Sequence, residues 1–116
     1  MLTLYGISTC DTVRKARTWL DQRGLAYEWV DFRKSTLDPR RAARWVAAVG
    51  SKPLRNTSGG AYRALPIDKS NWDDTTWAAH FAADPMLIKR PVIERDGVVV
   101  QVGFRGTEEE LQARLG

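Results

Sequence analysis

The chain has 116 residues, enough for a single domain with its own apolar core and too few for several. Apolar residues make up 43%, five Trp among them, which excludes a disordered chain, and one Cys excludes an internal disulfide. The formal charge of +4 comes from 18 Lys and Arg against 14 Asp and Glu; thirteen of the cations are Arg, whose planar donor fork suits carboxylates and oxyanions.

In chain order, residues 2–5 (LTLY) read as a short strand ended by Gly6. Thr9 offers an N-cap oxygen, and CDTVRKARTWLDQRG reads as a helix closed by Gly24, with Val13, Ala16 and Leu20 on its apolar face. AYEWVDF (26–32) alternates as a second strand, so the first unit is βαβ with a parallel pair. Thr36 or Asp38 caps a helix with Pro39 in its first turn, running to Gly50. SKPLRNTSGGAYRALP reads as a loop, dense in Pro, Gly, Ser and Asn. NWDDTTWAAHFAADP carries Trp77, Ala78 and Phe81 at helical spacing and stops before Pro85. In PVIERDGVVVQVG, Asp96-Gly97 between two apolar runs predicts a β-hairpin, and TEEELQARLG closes as a helix with acidic residues in its first turn. No repeat, low-complexity tract or linker interrupts residues 1–116, which read as one domain.

Cys10 follows the first strand and loop and opens the first helix. Backbone N–H groups and the helix dipole converge there and favour a thiolate. Arg14, one turn along, adds positive potential, and Asp11 opposes it. A lone Cys is also commonly a small buried hydrophobe; its place at a strand–helix junction favours the nucleophile. His80 has no second ligand near it in sequence, so it reads as a packing residue and no metal site is expected. The Trp residues read as core groups, and no helix presents a clustered basic and aromatic face for nucleic acid.

Gly6-Ile-Ser-Thr-Cys10-Asp-Thr-Val-Arg-Lys-Ala16, together with Leu87-Ile-Lys-Arg-Pro91-Val about eighty residues on, resembles the arsenate-reductase ArsC family, the group that includes the short YffB-like and Spx-like proteins. The likeness runs over essentially the whole chain. It implies a thioredoxin-like (glutaredoxin-like) α/β fold: a four-stranded mixed sheet with a βαβ unit, a helical insertion, a β-hairpin and a C-terminal helix. It also implies Cys10 as nucleophile and Arg90, with Arg105, as catalytic oxyanion-holding residues. Arg55, in the PLRN loop, matches a third family Arg; it, Thr9, Arg14 and Pro91 are the expected substrate-binding residues, with Pro91 at a position that is a cis-proline in such folds.

The chain departs from redox relatives at Val13, which replaces the second Cys of a CxxC. Turnover therefore requires an external thiol, with glutathione as the expected co-substrate, glutaredoxin as a further partner, and no permanently bound cofactor. Gly6-Ile-Ser-Thr also stands where arsenate reductases carry Asn-Pro before the Cys. The start of the chain lacks the basic and long apolar regions of a signal peptide, and no apolar run approaches the roughly 20 residues of a membrane span. A cytoplasmic monomer is the expectation. The alternative function is a non-enzymatic Spx-like module that binds RNA polymerase or another protein.

Overall fold

The computed structural model describes residues 1–116. They group into two compact units, one formed by Met1–Ser35 with Arg90–Gly116 and the other by Thr36–Lys89.

The first unit is a four-stranded mixed sheet with two helices. β1 (Leu2–Gly6) leads to α1 (Asp11–Gln22), then β2 (Tyr27–Asp31), β3 (Val92–Arg95), β4 (Val98–Val102) and α5 (Glu108–Leu115). Strand order is β2-β1-β3-β4, with β2 parallel to β1 and the other pairs antiparallel. This is the thioredoxin-like architecture that the sequence implies.

Alternation on β1 and the 3.6-residue period of α1 explain the core. Leu2, Leu4 and Ile93 from the sheet meet Val13, Ala16, Trp19 and Leu20 from α1 and Leu111 and Leu115 from α5. Each fully buried side chain of this kind contributes about 1.5–3 kcal/mol. Both helix ends are specified locally. Gly24 N–H reaches the Asp21 carbonyl and Leu25 N–H the Leu20 carbonyl, the paired bonds of a Schellman motif. Thr107 and Glu110 form a reciprocal capping box at the start of α5. The β3–β4 turn places Asp96 (φ 51°) and Gly97 (φ 83°) both in the left-handed region, the pair of conformations a two-residue type I′ hairpin requires.

The α1 start differs from the expectation by one residue. Arg14 N–H bonds the Cys10 carbonyl and Cys10 is extended (φ −87°, ψ 124°), so Cys10, not Thr9, is the N-cap. Its side chain makes no capping bond.

The second unit is helical. α2 (Pro39–Val49) is capped by Asp38, whose carboxylate accepts from Arg40 N–H at 2.8 Å, which decides between the two predicted caps. α4 (Asp74–Ala83) is capped by Asp73, and α2 and α4 pack on one another. The segment expected to be a loop, 51–66, is instead folded into a 3-10 turn at Lys52–Leu54 and a one-turn helix, α3 (Gly60–Arg63), and a second 3-10 turn follows it at Ile67–Asn71. Its Pro and Gly residues close tight turns rather than open an excursion, with Pro53 set inside the first turn. Trp77, fully buried, is the hub of this unit, with the rings of Tyr62, Trp72 and Phe81 within 6.1 Å. Trp72 stacks in turn on His80 at 4.0 Å, so the one histidine is a packing residue.

Candidate active site

Strand register determines which segments share an end of the sheet. Tyr5 pairs with Val92, Val92 with Val102, and Gly6 with Asp31. The chain therefore leaves β1 toward Cys10, enters β3 from Arg90-Pro91, leaves β4 toward Gly103–Arg105 and leaves β2 toward Arg33, all at one edge of the sheet. Neighbouring strands lie about 4.8 Å apart, which gathers Cys10, Arg90, Pro91 and Arg105 from sequence positions far from one another.

Cys10 is half-buried, with its body packed on the core and no disulfide. Its amide donates to the Ile7 carbonyl at 3.3 Å, which curls the Ile7–Cys10 loop back over the end of β1. That loop depends on Gly6: a Cβ there would meet Val13 Cγ2 at 2.7 Å, so only glycine lets α1 lie this close to β1. Val13 is itself fully buried, and the position of a second CxxC cysteine is thus filled by a core side chain.

The Arg90-Pro91 bond is cis. Pro91 is buried and Arg90 half-buried, and both stand directly before the β3 register. The Pro91 carbonyl accepts from Gly103 N–H at 2.8 Å, so the turn after β4 is tied to the proline. Arg105 is exposed, its backbone carbonyl held by Gln101 and its guanidinium in solvent.

The other expected binding residues are placed differently. Arg14 pairs with Asp11, so the two opposing charges predicted near the thiol neutralise one another at the surface. Thr9, freed from capping, accepts from Arg33 Nη1 at 3.0 Å. Arg55 belongs to the second unit, where its strand-like bridge to Ile88 fixes the backbone. There its guanidinium donates to Ser51 Oγ at 2.7 Å and lies 4.3 Å from the Trp77 ring, while Nε is buried without a hydrogen bond.

Two residues that sequence reasoning did not single out join the site. Arg33 is one; its signal is that a parallel β1–β2 pair aligns Asp31 with Gly6 and so delivers the next residues beside the thiol loop. The buried Asp31 carboxylate accepts Arg33 N–H at 2.9 Å and sets that turn. Gln101 is the other, a lone polar residue inside the apolar run VVVQV. The arrangement brings a thiol at a helix start, a buried proline and the backbone positions of Arg33, Arg90 and Arg105 to one end of the sheet. That combination suits attack on an electrophile carried by an anionic ligand.

A model of the ArsC family matches residues 5–113. The structure superposes on that of a YffB protein with a TM-score of 0.89 and 36% identity, covering 100% of both chains. It superposes on a possible arsenate reductase from Streptococcus mutans with a TM-score of 0.86 and 34% identity, covering 97% of this chain and 98% of that one. In sequence it is 27% identical over 117 residues to the global transcriptional regulator Spx of Streptococcus agalactiae, covering 99% of this chain and 83% of that protein. No helix is long and apolar enough to cross a membrane.

Proposed function

The chain belongs to the ArsC family, and from that premise we propose that it is a single-thiol redox protein that works with glutathione, Cys10 being the nucleophile. The observation that carries this reading is the shared sheet edge, where Cys10, Arg90-Pro91 and Arg105 emerge together. In the proposed reaction the Cys10 thiolate attacks one sulfur of a glutathione-containing disulfide. The S–S bond breaks, a Cys10 mixed disulfide forms, and the other sulfur leaves as a thiolate. A glutathione thiolate then attacks the glutathione sulfur of the adduct, forms oxidised glutathione and returns Cys10 as thiolate. External resolution is required because Val13 fills the place of a second thiol. Arg90 and Arg105 hold the carboxylates of the peptide, and Thr9 and Pro91 border the sulfur. A reducing thiol pool, as in cytoplasm, is the setting this chemistry needs, with glutaredoxin as a further electron-transfer partner.

Arsenate is not the proposed substrate. Reducing As(V) by two electrons demands donors fixed to within about half an ångström, and Gly6-Ile-Ser-Thr makes a different loop before the thiol. Two measurements test the reading. Incubation with oxidised glutathione followed by mass spectrometry is expected to give one adduct on Cys10 and none in Cys10→Ser. A coupled assay with arsenate, glutathione and glutaredoxin is expected to show turnover near background. No adduct and no glutathione binding at millimolar concentration would defeat the proposal, and brisk arsenate turnover would defeat its substrate half. Where neither adduct nor glutathione binding is found, the likeness to Spx favours the second reading, a protein-binding regulatory module whose partner is RNA polymerase.

A further inference from the structure

We propose that Gln101 is the positioning residue for Arg105, and that α5 holds Gln101 in place through Arg114. The role rests on the reading of Arg105 as an anion-holding residue. Gln101 is 6% exposed, within a strand otherwise made of valines. A buried amide is unfavourable unless its donors and acceptor are used, and here they all are. Nε2 donates to the Gly103 carbonyl at 3.2 Å and to the Arg105 carbonyl at 3.1 Å, while Oε1 accepts from Arg114 Nη1 at 3.0 Å. The amide orientation is unambiguous, because carbonyls only accept and a guanidinium only donates.

A β-bulge makes this geometry available. β3 and β4 change register between Ile93 and Glu94, so Val100 is an extra residue. In a regular strand Val100 and Gln101 would face opposite sides. The bulge lets Val100 pack on the α1–α5 core while Gln101, paired with Ile93, also faces α5. Arg114 is steadied by Glu110 Oε2 at 3.3 Å, and Glu110 belongs to the capping box of α5. With Gly103 N–H on the Pro91 carbonyl at 2.8 Å, three backbone groups of the 103–105 turn are fixed, and Arg105 projects from a held base. The three Gln101 bonds tie α5 to β4 and converge on the turn that carries Arg105.

The test uses Gln101→Leu, which removes the amide, and Gln101→Glu, which keeps an acceptor for Arg114 but cannot donate to either carbonyl. Arg114→Met loosens the amide without touching β4, and serves if a Gln101 variant fails to fold. Backbone NMR relaxation of residues 103–106 and the dissociation constant for reduced glutathione are read on each folded variant. The expected results are loss of order confined to 103–106 and an affinity about tenfold weaker, the scale of one well-placed hydrogen-bonded contact. In an Arg105→Ala background, Gln101→Glu is expected to change affinity less than about twofold, because the two act as one unit. Unchanged relaxation at 103–106, or fully additive losses, would overturn the assignment. If the wild-type protein binds no glutathione, the functional reading fails on its own, and the relaxation experiment alone decides whether Gln101 orders the turn.

Discussion

Gly6 and Val13 are in such close contact that a single methyl group on Gly6 would lie 2.7 Å from Val13 Cγ2. Gly6 ends the central strand and Val13 is in the first turn of α1, so this contact sets how near the helix carrying the thiol loop comes to the sheet. Gly6→Ala is expected to destabilise the protein by about 1–3 kcal/mol through overpacking. Adding Val13→Ala is expected to recover part of that loss, giving a double mutant more stable than the sum of the singles predicts. Urea unfolding midpoints check this, and an innocuous Gly6→Ala would show that α1 moves aside freely.

Arg90→Lys keeps the charge and loses the planar fork, so glutathione affinity is expected to fall by about 1–3 kcal/mol, as for a charge-assisted hydrogen bond. Arg90→Ala is expected to do at least as much harm. Calorimetric titration with both variants measures it, and wild-type affinity in the two would remove Arg90 from the site.

Arg33 donates to Thr9 Oγ1, one residue before Cys10. Arg33→Ala and Thr9→Val are each expected to slow formation of the Cys10–glutathione adduct several-fold while leaving the unfolding midpoint within about 0.5 kcal/mol, since both positions are exposed. Stopped-flow mixing with oxidised glutathione reads the rate. Identical rates in all three proteins would mean that the clamp is idle.

Acid stability has a local origin in the helix caps. The Thr107 backbone N–H holds the Glu110 carboxyl below its ordinary value, with the Thr107 hydroxyl and Arg114 acting in the same direction. Asp73 is lowered by the Thr76 N–H in the same way, and Asp38 by the Arg40 side chain and then its N–H. A carboxyl depressed in the folded state stabilises it fully above the ordinary carboxylate range. That contribution is lost as pH falls through that range to the depressed value. Stability is therefore expected to decline on acidification through and below the ordinary carboxylate range of about 3.9–4.3. Glu110→Gln, which retains a capping side chain without a titrating charge, is expected to flatten part of that decline in urea midpoints taken across the range.

Much of the fold was legible because its signals are local. Asp96-Gly97 specified the hairpin, Gly24 the end of α1, and the period of Val13, Ala16 and Leu20 the buried face. Cys10, Arg90 and Pro91 were legible through the order and spacing of two motifs. The 51–66 segment was not, because its Pro and Gly residues mark turns without saying whether those turns connect into 3-10 and helical pieces around a buried Trp77. Arg33 and Gln101 were hidden for different reasons. Arg33 needs the β1–β2 register to bring it to Thr9. Gln101 needs a bulge, which shifts which side of a strand a residue faces and leaves no mark in an alternating pattern.

The chain path has a consequence for the order in which the protein is made. β1 pairs with β3 through Leu2 and Arg95, and residues 36–89 lie between the two in sequence. Such distant pairing is slow to form, because loop-closure entropy opposes it before contacts compensate. During synthesis the first third of the chain emerges with the sulfur in place at Cys10. Arg90, Pro91 and Arg105 follow only after the helical unit has left the ribosome. A nascent or prematurely terminated chain thus carries Cys10 and Arg33 without Arg90, Pro91 or Arg105 and has one open edge on its central strand. The complete end of the sheet, with the residues before β3 and after β4 in place, is the last part of the first unit to assemble.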